Sequence, residues 1–427
     1  MKSSSIEGFY KKSLEERLSA IKGFAGLSDS EISLLKKHGS LDFETANRMI
    51  ENVYSTLPLP LGVATNFKIN GRDYLIPFAI EEPSVVAAAS NAAKLCRDSD
   101  GFTAEADSPI MFGQIQLVGI KDFDSAKKKI HAAKSELLEM AKAKDPVLLK
   151  FGGGPLDLTS KEIDTPRGKM LIVYLEVNVL DAMGANAVNT ICEAISPKLE
   201  ELTGGNSKLK IISNLATKRL ARAKAVWSKE ALEKSADGKT AGEEIVEGIL
   251  DAWAFACGDA YRCATHNKGI MNGIDAVAIA TGNDWRAVEA GAHAYACITG
   301  KYLPLTKYSK SKDGDLVGEI ELPVAVGVIG GATKTHPLAQ ISLKILGVKS
   351  ARELACVMAS VGLAQNFAAL RAMVTTGINA GHMKLHAKNI AVMAGAKGKA
   401  IEEIAAKMAA EKNVSMQRAQ ELLTELK

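Results

Sequence analysis

Two acidic residues and a lysine are the first candidates for chemistry. Glu81 and Glu82 stand where an apolar, strand-like run meets a helical one, a position that presents side chains to a cleft. Lys268 lies among small and amide residues rather than on a charged helical face. A lysine there can polarise a carbonyl group and stabilise negative charge on its oxygen, although a structural loop lysine fits the same pattern. Asp284 has the position of a helix N-cap, or of a partner for a buried cation.

Two histidines near the C-terminus, His382 and His386, are four residues apart and could share one face of a helix. Zinc sites use this spacing, but the glutamate of the HExxH motif is missing and no cysteine lies close by. We therefore expect no metal. A general acid on a C-terminal segment is the more attractive interpretation for His382, and His386 can be a helix-surface residue.

The segment Asp181-Ala-Met-Gly-Ala-Asn186 follows a predicted strand and starts a predicted helix. Small residues let a ligand approach the backbone, and the free N–H groups and dipole of a helix start attract phosphate. An ordinary helix-initiating turn fits the segment as well. Asp145 ends the preceding predicted helix. A carboxylate near a dinucleotide can bind a ribose 2′-hydroxyl and disfavour a 2′-phosphate, but Asp145 taken alone is better explained as a solvated helix-end residue.

The elements that would position these residues fall into two patterns. Residues 111–215 have the order β-α-β-β-α-β, which is the ferredoxin-like arrangement, and we predict a separate domain there. The first seventy residues are read as helices, followed by a strand at 73–80. Between 216 and 375, long helices broken by Gly-rich turns are expected, including turns at 265–273 and 281–285. The last fifty residues are predicted to be helical because their apolar residues have helical spacing.

Composition and charge narrow the class of protein. The chain has 427 residues, which corresponds to about three folded units. It carries 53 Lys and Arg against 49 Asp and Glu, so the net charge of +4 gives no case for nucleic-acid binding. No signal peptide is predicted, and no apolar run approaches the ~18 residues of a membrane span. The six cysteines form no CxxC pair. We expect a soluble cytoplasmic protein with free thiols and no contact with membranes.

Six segments occur in a fixed order along the chain: Met49-Ile-Glu-Asn-Val53, Glu81-Glu-Pro-Ser84, Asp181-Ala-Met-Gly-Ala-Asn186, Thr265-His-Asn-Lys-Gly-Ile-Met-Asn-Gly273, Thr281-Gly-Asn-Asp-Trp285 and Gly381-His382. Together they closely resemble the soluble, class II hydroxymethylglutaryl-CoA (HMG-CoA) reductases. The resemblance extends from near the N-terminus to the C-terminal helices. The lack of a predicted membrane anchor favours class II over the anchored class I.

The resemblance implies that HMG-CoA and mevalonate plus CoA are interconverted by two successive hydride transfers. Lys268 would polarise the thioester and then the aldehyde carbonyl, and Glu82 would supply a proton. Asp284 would link and tune these two residues, and His382 would protonate the departing CoA thiolate. Three further residues fall where the family contacts the substrate or supports the lysine: Ser84, Arg262 and Asn272.

The resemblance also implies an α+β architecture. A large, mainly helical substrate domain would comprise residues 1–110 and 216–375, and the ferredoxin-like cofactor domain would be inserted at 111–215. A helical C-terminal flap at 376–427 would carry His382 and close over the ligands. Cofactor contacts would come from Asp145, Asp181, Met183, Gly184, Ala185, Asn186 and Asn214.

The cofactor and the oligomeric state follow from the same resemblance. NAD(H) is favoured because of Asp145, with NADP(H) as the alternative because Lys142 and Lys144 soften the repulsion of a 2′-phosphate. A homodimer with shared active sites is implied, in which Lys268 and Asp284 could face Glu82 across two subunits; assembly beyond a dimer is open.

Two other classes of protein remain as alternatives. An NAD(P)-dependent amino-acid or hydroxy-acid dehydrogenase also pairs a lysine with an aspartate over a carbonyl, but it would transfer one hydride per turnover and would not use CoA. A non-catalytic regulator that binds CoA or a nucleotide would bind the cofactor without consuming it. The stoichiometry of cofactor oxidation distinguishes the three possibilities.

Overall fold

We describe the fold from a computed structural model of the chain, which places residues 2–38, 41–236, 238, 240–375, 387–411 and 413–426. These residues form two β-sheets, one of six strands and one of four, together with helices that pack on both. The fold is therefore α+β, as the sequence predicts.

The N-terminal part contains three helices and a β-hairpin. The helices are α1 (Leu14–Ala25), α2 (Asp29–Leu35) and α3 (Phe43–Met49), and the strands are β1 (Leu61–Ile69) and β2 (Arg72–Ala79). The helical prediction for the first seventy residues is thus wrong over β1. A register shift between Ala64 and Phe67 interrupts the pairing of β1 with β2, and it also breaks the two-residue alternation that would reveal a strand.

The four-stranded sheet has the order β5-β6-β4-β7, and all its neighbouring strands are antiparallel. Three helices, α5, α6 and α8, pack against one another and against its strands. The strands and α8 follow the predicted β-α-β-β-α-β order, but the single helix expected between the first two strands is replaced by three helices, α5, α6 and α7. In chain order the elements are β4 (Ile110–Val118), α5 (Phe123–Ala132), α6 (Lys134–Lys142), α7 (Pro146–Lys150), β5 (Gly154–Thr165), β6 (Gly168–Asn178), α8 (Ala185–Thr203) and β7 (Asn206–Ser213).

The six-stranded sheet has the order β2-β1-β3-β8-β10-β9, and its strands other than β2 were not predicted from the sequence. The remaining strands are β3 (Phe102–Ala106), β8 (Leu220–Trp227), β9 (Thr306–Lys310) and β10 (Leu316–Pro323). In β8, alanines alternate with arginine and lysine, and Ala221, Ala223 and Ala225 are buried. Alanine is the strongest helix former, so composition conceals this strand. Its small side chains let a helix lie close above the sheet.

That helix is α15 (Ala351–Val374), which packs on β3, β8, β10, α4 and α11. Phe367 of α15 stacks on Trp227 of β8 with ring centroids 3.9 Å apart. Among the described helices, α15 alone is long and apolar enough to span a membrane, but 83% of its apolar window is buried inside the protein. We therefore interpret α15 as the central core helix.

The other helices surround this core. They are α4 (Val85–Cys96), α9 (Lys229–Ser235), α10 (Gly242–Gly258), α11 (Ala260–Ala280), α12 (Trp285–Ala296), α13 (Gly331–Thr335) and α14 (Pro337–Leu346). Residues 387–393 are helical, as are α16 (Lys399–Ala410) and α17 (Met416–Glu425). These last helices share a small apolar cluster of their own, formed by residues between 387 and 423.

The Gly-rich turn predicted at 265–273 does not exist, because this segment lies inside α11. Gly273 serves close packing instead: a Cβ atom there would lie 2.7 Å from Cγ1 of Val361 on α15. The predicted turn at 281–285 is confirmed, since α11 ends at Ala280 and α12 begins at Trp285.

This packing predicts that alanine substitutions at two glycines of α11 have opposite effects on the stability of the protein. Gly273→Ala should destabilise the protein by about 1–3 kcal/mol, because the added methyl group forces α11 and α15 apart. Gly269→Ala is the matched control, since a methyl group added there would have no neighbouring atom within 4 Å, and it should be neutral or stabilise by about 0.5–1 kcal/mol. Thermal unfolding of both variants measures the difference, and equal midpoints would contradict the close packing.

Candidate active site

Glu82 and Lys268 form an ion pair within one chain, so the expectation that Lys268 faces Glu82 across two subunits is wrong. Glu82 lies in the short junction between β2 and α4, and Lys268 lies in the first half of α11. Because α11 packs against β2, the two side chains meet, and Nζ of Lys268 donates to Oε2 of Glu82 at 3.0 Å. The lysine side chain is 59% exposed and the glutamate 36% exposed. The predicted carbonyl-polarising group and the predicted proton donor are thus adjacent and accessible to a substrate.

The predicted substrate contacts are placed around this pair. Asn272 follows Lys268 by one helical turn, so the two residues share a face of α11. Ser84 is the N-cap residue of α4 and has a left-handed backbone with φ of 78°. Its hydroxyl does not cap the helix: Oγ is buried and has no hydrogen-bond partner in the part of the chain that the structure describes. A buried polar atom without a partner is costly, which fits a hydroxyl reserved for a ligand.

Arg262 lies in the first turn of α11, where its own N–H is capped by Asp259 at 2.7 Å. Its guanidinium contacts Sδ of Met373 at 3.7 Å. Met373 belongs to the last turn of α15, so Arg262 connects the start of α11 to the end of α15. His382 lies outside the described residues.

Asp284 lies beyond the C-terminal end of α11, whereas Lys268 lies in the first half of that helix. Asp284 is the N-cap of α12, accepting a hydrogen bond from the N–H of Ala287 at 3.2 Å, and Arg286 contacts its carboxylate at 3.3 Å. From Lys268 to Ala280 the helix rises by ~18 Å at ~1.5 Å per residue. A carboxylate beyond that point cannot reach Lys268 within the same chain. The structure thus confirms the N-cap but does not bring Asp284 to the other two residues.

A cavity of about 1530 Å³ contains Asp284 and most of the predicted cofactor residues. The segment before and at the start of α8 forms part of its wall, with Gly184 as N-cap. Gly184 has φ of 102°, and a Cβ there would lie 2.5 Å from Val179 Cγ1, so only glycine fits. The predicted residues that line this cavity are Asp145, Met183, Gly184, Ala185 and Asn186.

Two predicted cofactor residues, Asp181 and Asn214, are not among the described residues that line this cavity. The carboxylate of Asp181 accepts a hydrogen bond from the N–H of Ala351, at the start of α15, at 2.8 Å. Asn214 is exposed just after β7, and a Cβ on Gly291 would lie 2.5 Å from its carbonyl oxygen. Asp145 does not end a helix: it caps α7, accepting from Leu148 N–H at 2.8 Å.

Burial shifts the pKa of two residues on α11. Burial, with help from the charge of Arg262, lowers the pKa of His266 to about 3. His266 is therefore neutral, and its Nε2 lies 2.6 Å from Oγ1 of Thr306. Burial, with Glu289 nearby, raises the pKa of Asp275 to about 7. His266 and Asn267 of the 265–273 motif face the core, so Thr265, Lys268 and Asn272 are the polar side chains that the motif leaves accessible.

Sequence reasoning missed several polar residues of the cavity wall, among them an arginine and a histidine. Arg286, beside Trp285, and His336, the N-cap of α14, both line the cavity. The proximity of Arg286 to Asp284 in sequence was a usable signal. His336 had none, because it lies about fifty residues farther along the chain, outside every motif. Within the described ranges, no group of three His, Cys, Asp or Glu side chains is placed to hold a metal ion.

Comparison with known proteins agrees with these features. The family model for hydroxymethylglutaryl-coenzyme A reductase matches residues 13–387. The HMG-CoA reductase of Archaeoglobus fulgidus is 57% identical, over 100% of this chain and 95% of the relative. A probable HMG-CoA reductase of Borreliella burgdorferi is 35% identical over 90% of this chain and 86% of its own length.

Solved structures agree as well. The class II HMG-CoA reductase of Streptococcus pneumoniae bound to NADPH in open conformations superposes with a TM-score of 0.82 at 43% identity, covering 97% of this chain and 100% of that one. A second structure of the Streptococcus pneumoniae enzyme gives a TM-score of 0.84, also at 43% identity, over 99% of each chain.

The fold and these relatives define an NAD(P)-dependent oxidoreductase. More particularly, the chain belongs to the hydroxymethylglutaryl-CoA reductase family, in its class II branch.

Proposed function

We propose that this protein interconverts HMG-CoA and mevalonate plus CoA, with NADH as the favoured cofactor, in the cytoplasm. The observation that carries the proposal is the 3.0 Å contact between Lys268 Nζ and Glu82 Oε2. It supplies an ammonium group to stabilise a developing oxyanion and a carboxyl group to move a proton at the same place.

The residues would act in two stages, and the nicotinamide cofactor supplies a hydride in each when it is bound. In the first stage, Lys268 holds the thioester oxygen as it becomes negative, and the resulting hemithioacetal releases CoA thiolate and leaves an aldehyde. His382 gives its proton to the thiolate, which prevents attack on the aldehyde. In the second stage, Lys268 polarises the aldehyde carbonyl and Glu82 provides the proton of the new alcohol.

The cavity supports a cofactor site at the start of α8. Its volume of about 1530 Å³ exceeds the ~300–1,000 Å³ of ordinary ligand pockets, which suits a dinucleotide. The start of a helix favours phosphate, and Gly184 supplies the positive φ that this helix start requires. We therefore place the pyrophosphate at residues 183–186 and the adenosine ribose near Asp145.

The choice between NADH and NADPH depends on two neighbouring charges. Lys142 is held by Glu139 at 2.8 Å, whereas Lys144 lines the cavity beside Asp145. The Asp145 carboxylate can bind a 2′-hydroxyl and repels a 2′-phosphate, so NADH is favoured. Lys144 is the residue that can reduce this repulsion.

Asp145→Asn should lower the preference for NADH over NADPH, in kcat/KM, by about tenfold, or ~1.4 kcal/mol. Asparagine keeps the N-cap of α7 while removing the charge. Steady-state rates with each cofactor measure the change. Lys144→Ala should raise the preference for NADH, and Lys142→Ala, the matched control, should leave it unchanged. An unchanged ratio in Asp145→Asn would contradict the role of this carboxylate.

The position of Asp284 supports a homodimer with shared active sites. Within one chain Asp284 lies on the cofactor cavity, and Lys268 and Glu82 lie about 18 Å away along α11. A second copy related by a two-fold axis would bring its Asp284 and cofactor cavity to the Lys268–Glu82 pair, and the reverse. Each site would then take its substrate groups from one subunit and its cofactor groups from the other.

Three parts of the chain would carry these roles. We propose a substrate domain of residues 1–110 and 216–375, a cofactor domain of 111–215 and a flap of 376–427 that carries His382. The apolar clusters support this division. One cluster is formed by the four-stranded sheet and its helices and also includes Ala216 and Ala325. Another is formed by residues between 387 and 423.

The reaction itself is tested by its stoichiometry. With purified protein, two NADH should be oxidised for each HMG-CoA consumed, with mevalonate and free CoA as products. A simple dehydrogenase would oxidise one cofactor and ignore CoA, and a regulator would bind without turnover. Absorbance at the NADH band together with thiol titration measures both quantities. No turnover with either NADH or NADPH would contradict the proposal.

A further inference from the structure

Arg219, immediately before β8, is an arginine with an unusual environment. It is 4% exposed, and its guanidinium donates to three backbone carbonyls. Nη1 contacts the oxygen of Met183 at 3.1 Å, and Nη2 contacts the oxygens of Ala182, at 3.1 Å, and of Val326. Burial lowers its pKa to about 10, with Asp181 opposing the shift. The guanidinium therefore stays charged at neutral pH while bound to uncharged acceptors.

These contacts fix the backbone that forms the wall of the cofactor cavity. In a trans peptide the C=O and the following N–H point in opposite directions. By holding the carbonyls of Ala182 and Met183, Arg219 turns the N–H groups of Met183 and Gly184 away from itself. The buried positive charge also lies behind the helix start that we assign to phosphate, and it adds to the attraction of that helix end for anions.

The same arginine connects this segment to the turn that carries Asp284. Arg219 donates to the carbonyl of Val326. The N–H of the next residue, Gly327, donates to Oδ1 of Asn283 at 2.7 Å. The N–H of Val328 donates to the carbonyl of Asp181 at 2.9 Å. The backbone after β10 is thus bonded on one side to the 181–184 segment and on the other to Asn283, the neighbour of Asp284.

We propose that Arg219 is a positioning residue for the nicotinamide cofactor. It sets the orientation of the 182–184 backbone and keeps it in register with the Asp284 turn, without touching the ligand. This inference rests on the proposed function, because it assigns the 183–186 segment to the pyrophosphate. If Arg219 only stabilised the fold, its substitution would weaken the binding of NADH and of HMG-CoA alike. If Arg219 positions the cofactor, its substitution should weaken the binding of NADH much more than that of HMG-CoA.

Arg219→Lys tests the proposal while keeping the charge, since one ammonium group cannot reproduce the fork of donors. We expect Kd and KM for NADH to rise about tenfold or more, with KM for HMG-CoA changed less than twofold. Arg222→Lys is the matched control: Arg222 lies on β8, three residues after Arg219, and pairs with Asp107 at 2.8 Å, so this substitution should leave Kd for NADH unchanged.

Gly327→Ala disturbs the same 182–184 backbone from the segment after β10, because the added Cβ would lie 2.7 Å from the backbone N of Met183. This variant should also bind NADH more weakly while KM for HMG-CoA changes little. It allows the proposal to be tested if Arg219→Lys does not fold. Calorimetric titration with NADH, combined with steady-state KM values, measures all three variants. A folded Arg219→Lys or Gly327→Ala that binds NADH like the wild type, or that loses both substrates equally, overturns the inference alone. A wild-type protein that does not bind NADH or NADPH overturns both the inference and the proposed function.

Discussion

Lys268→Ala is expected to lower kcat for HMG-CoA reduction by about 10³-fold, because the transition state loses the group that stabilises its oxyanion. The substrate binds through many other contacts, so KM should change much less than kcat. In the proposed mechanism both reduction stages use the same ammonium group. Reduction of free mevaldehyde should therefore fall together with reduction of the thioester.

A matched control exists on the surface of the same molecule. Lys310 forms an ion pair with Glu247, as Lys268 does with Glu82, but it lies on β9 and away from the site residues. Lys310→Ala removes an exposed, paired lysine in the same way and should leave kcat within twofold of the wild type. Steady-state kinetics on both variants makes the comparison. A Lys268→Ala protein with more than a tenth of the wild-type kcat would contradict the assigned role.

Local motifs in the sequence predicted much of this site. The junction that presents Glu82, the helix start after Gly184 and the N-cap at Asp284 are all determined by residues close in sequence, and the structure has each of them. The β-α-β-β-α-β order was readable for the same reason, since its strands and helices have regular apolar spacing.

The errors came from interactions between distant segments. The 265–273 segment contains glycines at 269 and 273 and was read as a turn, but in the structure Gly273 lets α11 lie against Val361 of α15. The alanines of β8 were not recognised as a strand because their burial depends on α15 above them. Neither reason is visible within a window of ten or fifteen residues.

The separation of Asp284 from Lys268 could not be predicted from motif order either. The motifs place both residues in one site, yet α11 runs straight between them as a single helix from Ala260 to Ala280. Only the unbroken helix shows that one chain cannot join the two groups. We propose that two chains do so together.

If the sites are shared, a heterodimer of two inactive variants is expected to recover a large part of the activity. Lys268→Ala and Asp284→Ala homodimers should both be nearly inactive, since each of their sites lacks an essential group. In a heterodimer of the two variants, one site receives Lys268 and Glu82 from one subunit and Asp284 from the other, all intact. The second site carries both defects. Because a two-fold dimer has two equivalent sites, the heterodimer should recover about half of the wild-type activity.

Lys268 and Glu82 belong to the same chain and contact each other at 3.0 Å, which provides the matched control. A heterodimer of Lys268→Ala with Glu82→Gln has one defect in each site, so it should stay as inactive as the parent homodimers. The control shares the expression, tagging and subunit-pairing steps of the test. Any general gain from pairing two different variants would therefore appear in it as well.

The most direct measurement is the kcat of heterodimers purified through two different affinity tags, with NADH and HMG-CoA as substrates. The shared-site account predicts about half of the wild-type kcat for Lys268→Ala with Asp284→Ala, and background activity for Lys268→Ala with Glu82→Gln. Background activity in the first heterodimer, or recovery in the second, would contradict a site built from Lys268 and Glu82 of one subunit and Asp284 of the other.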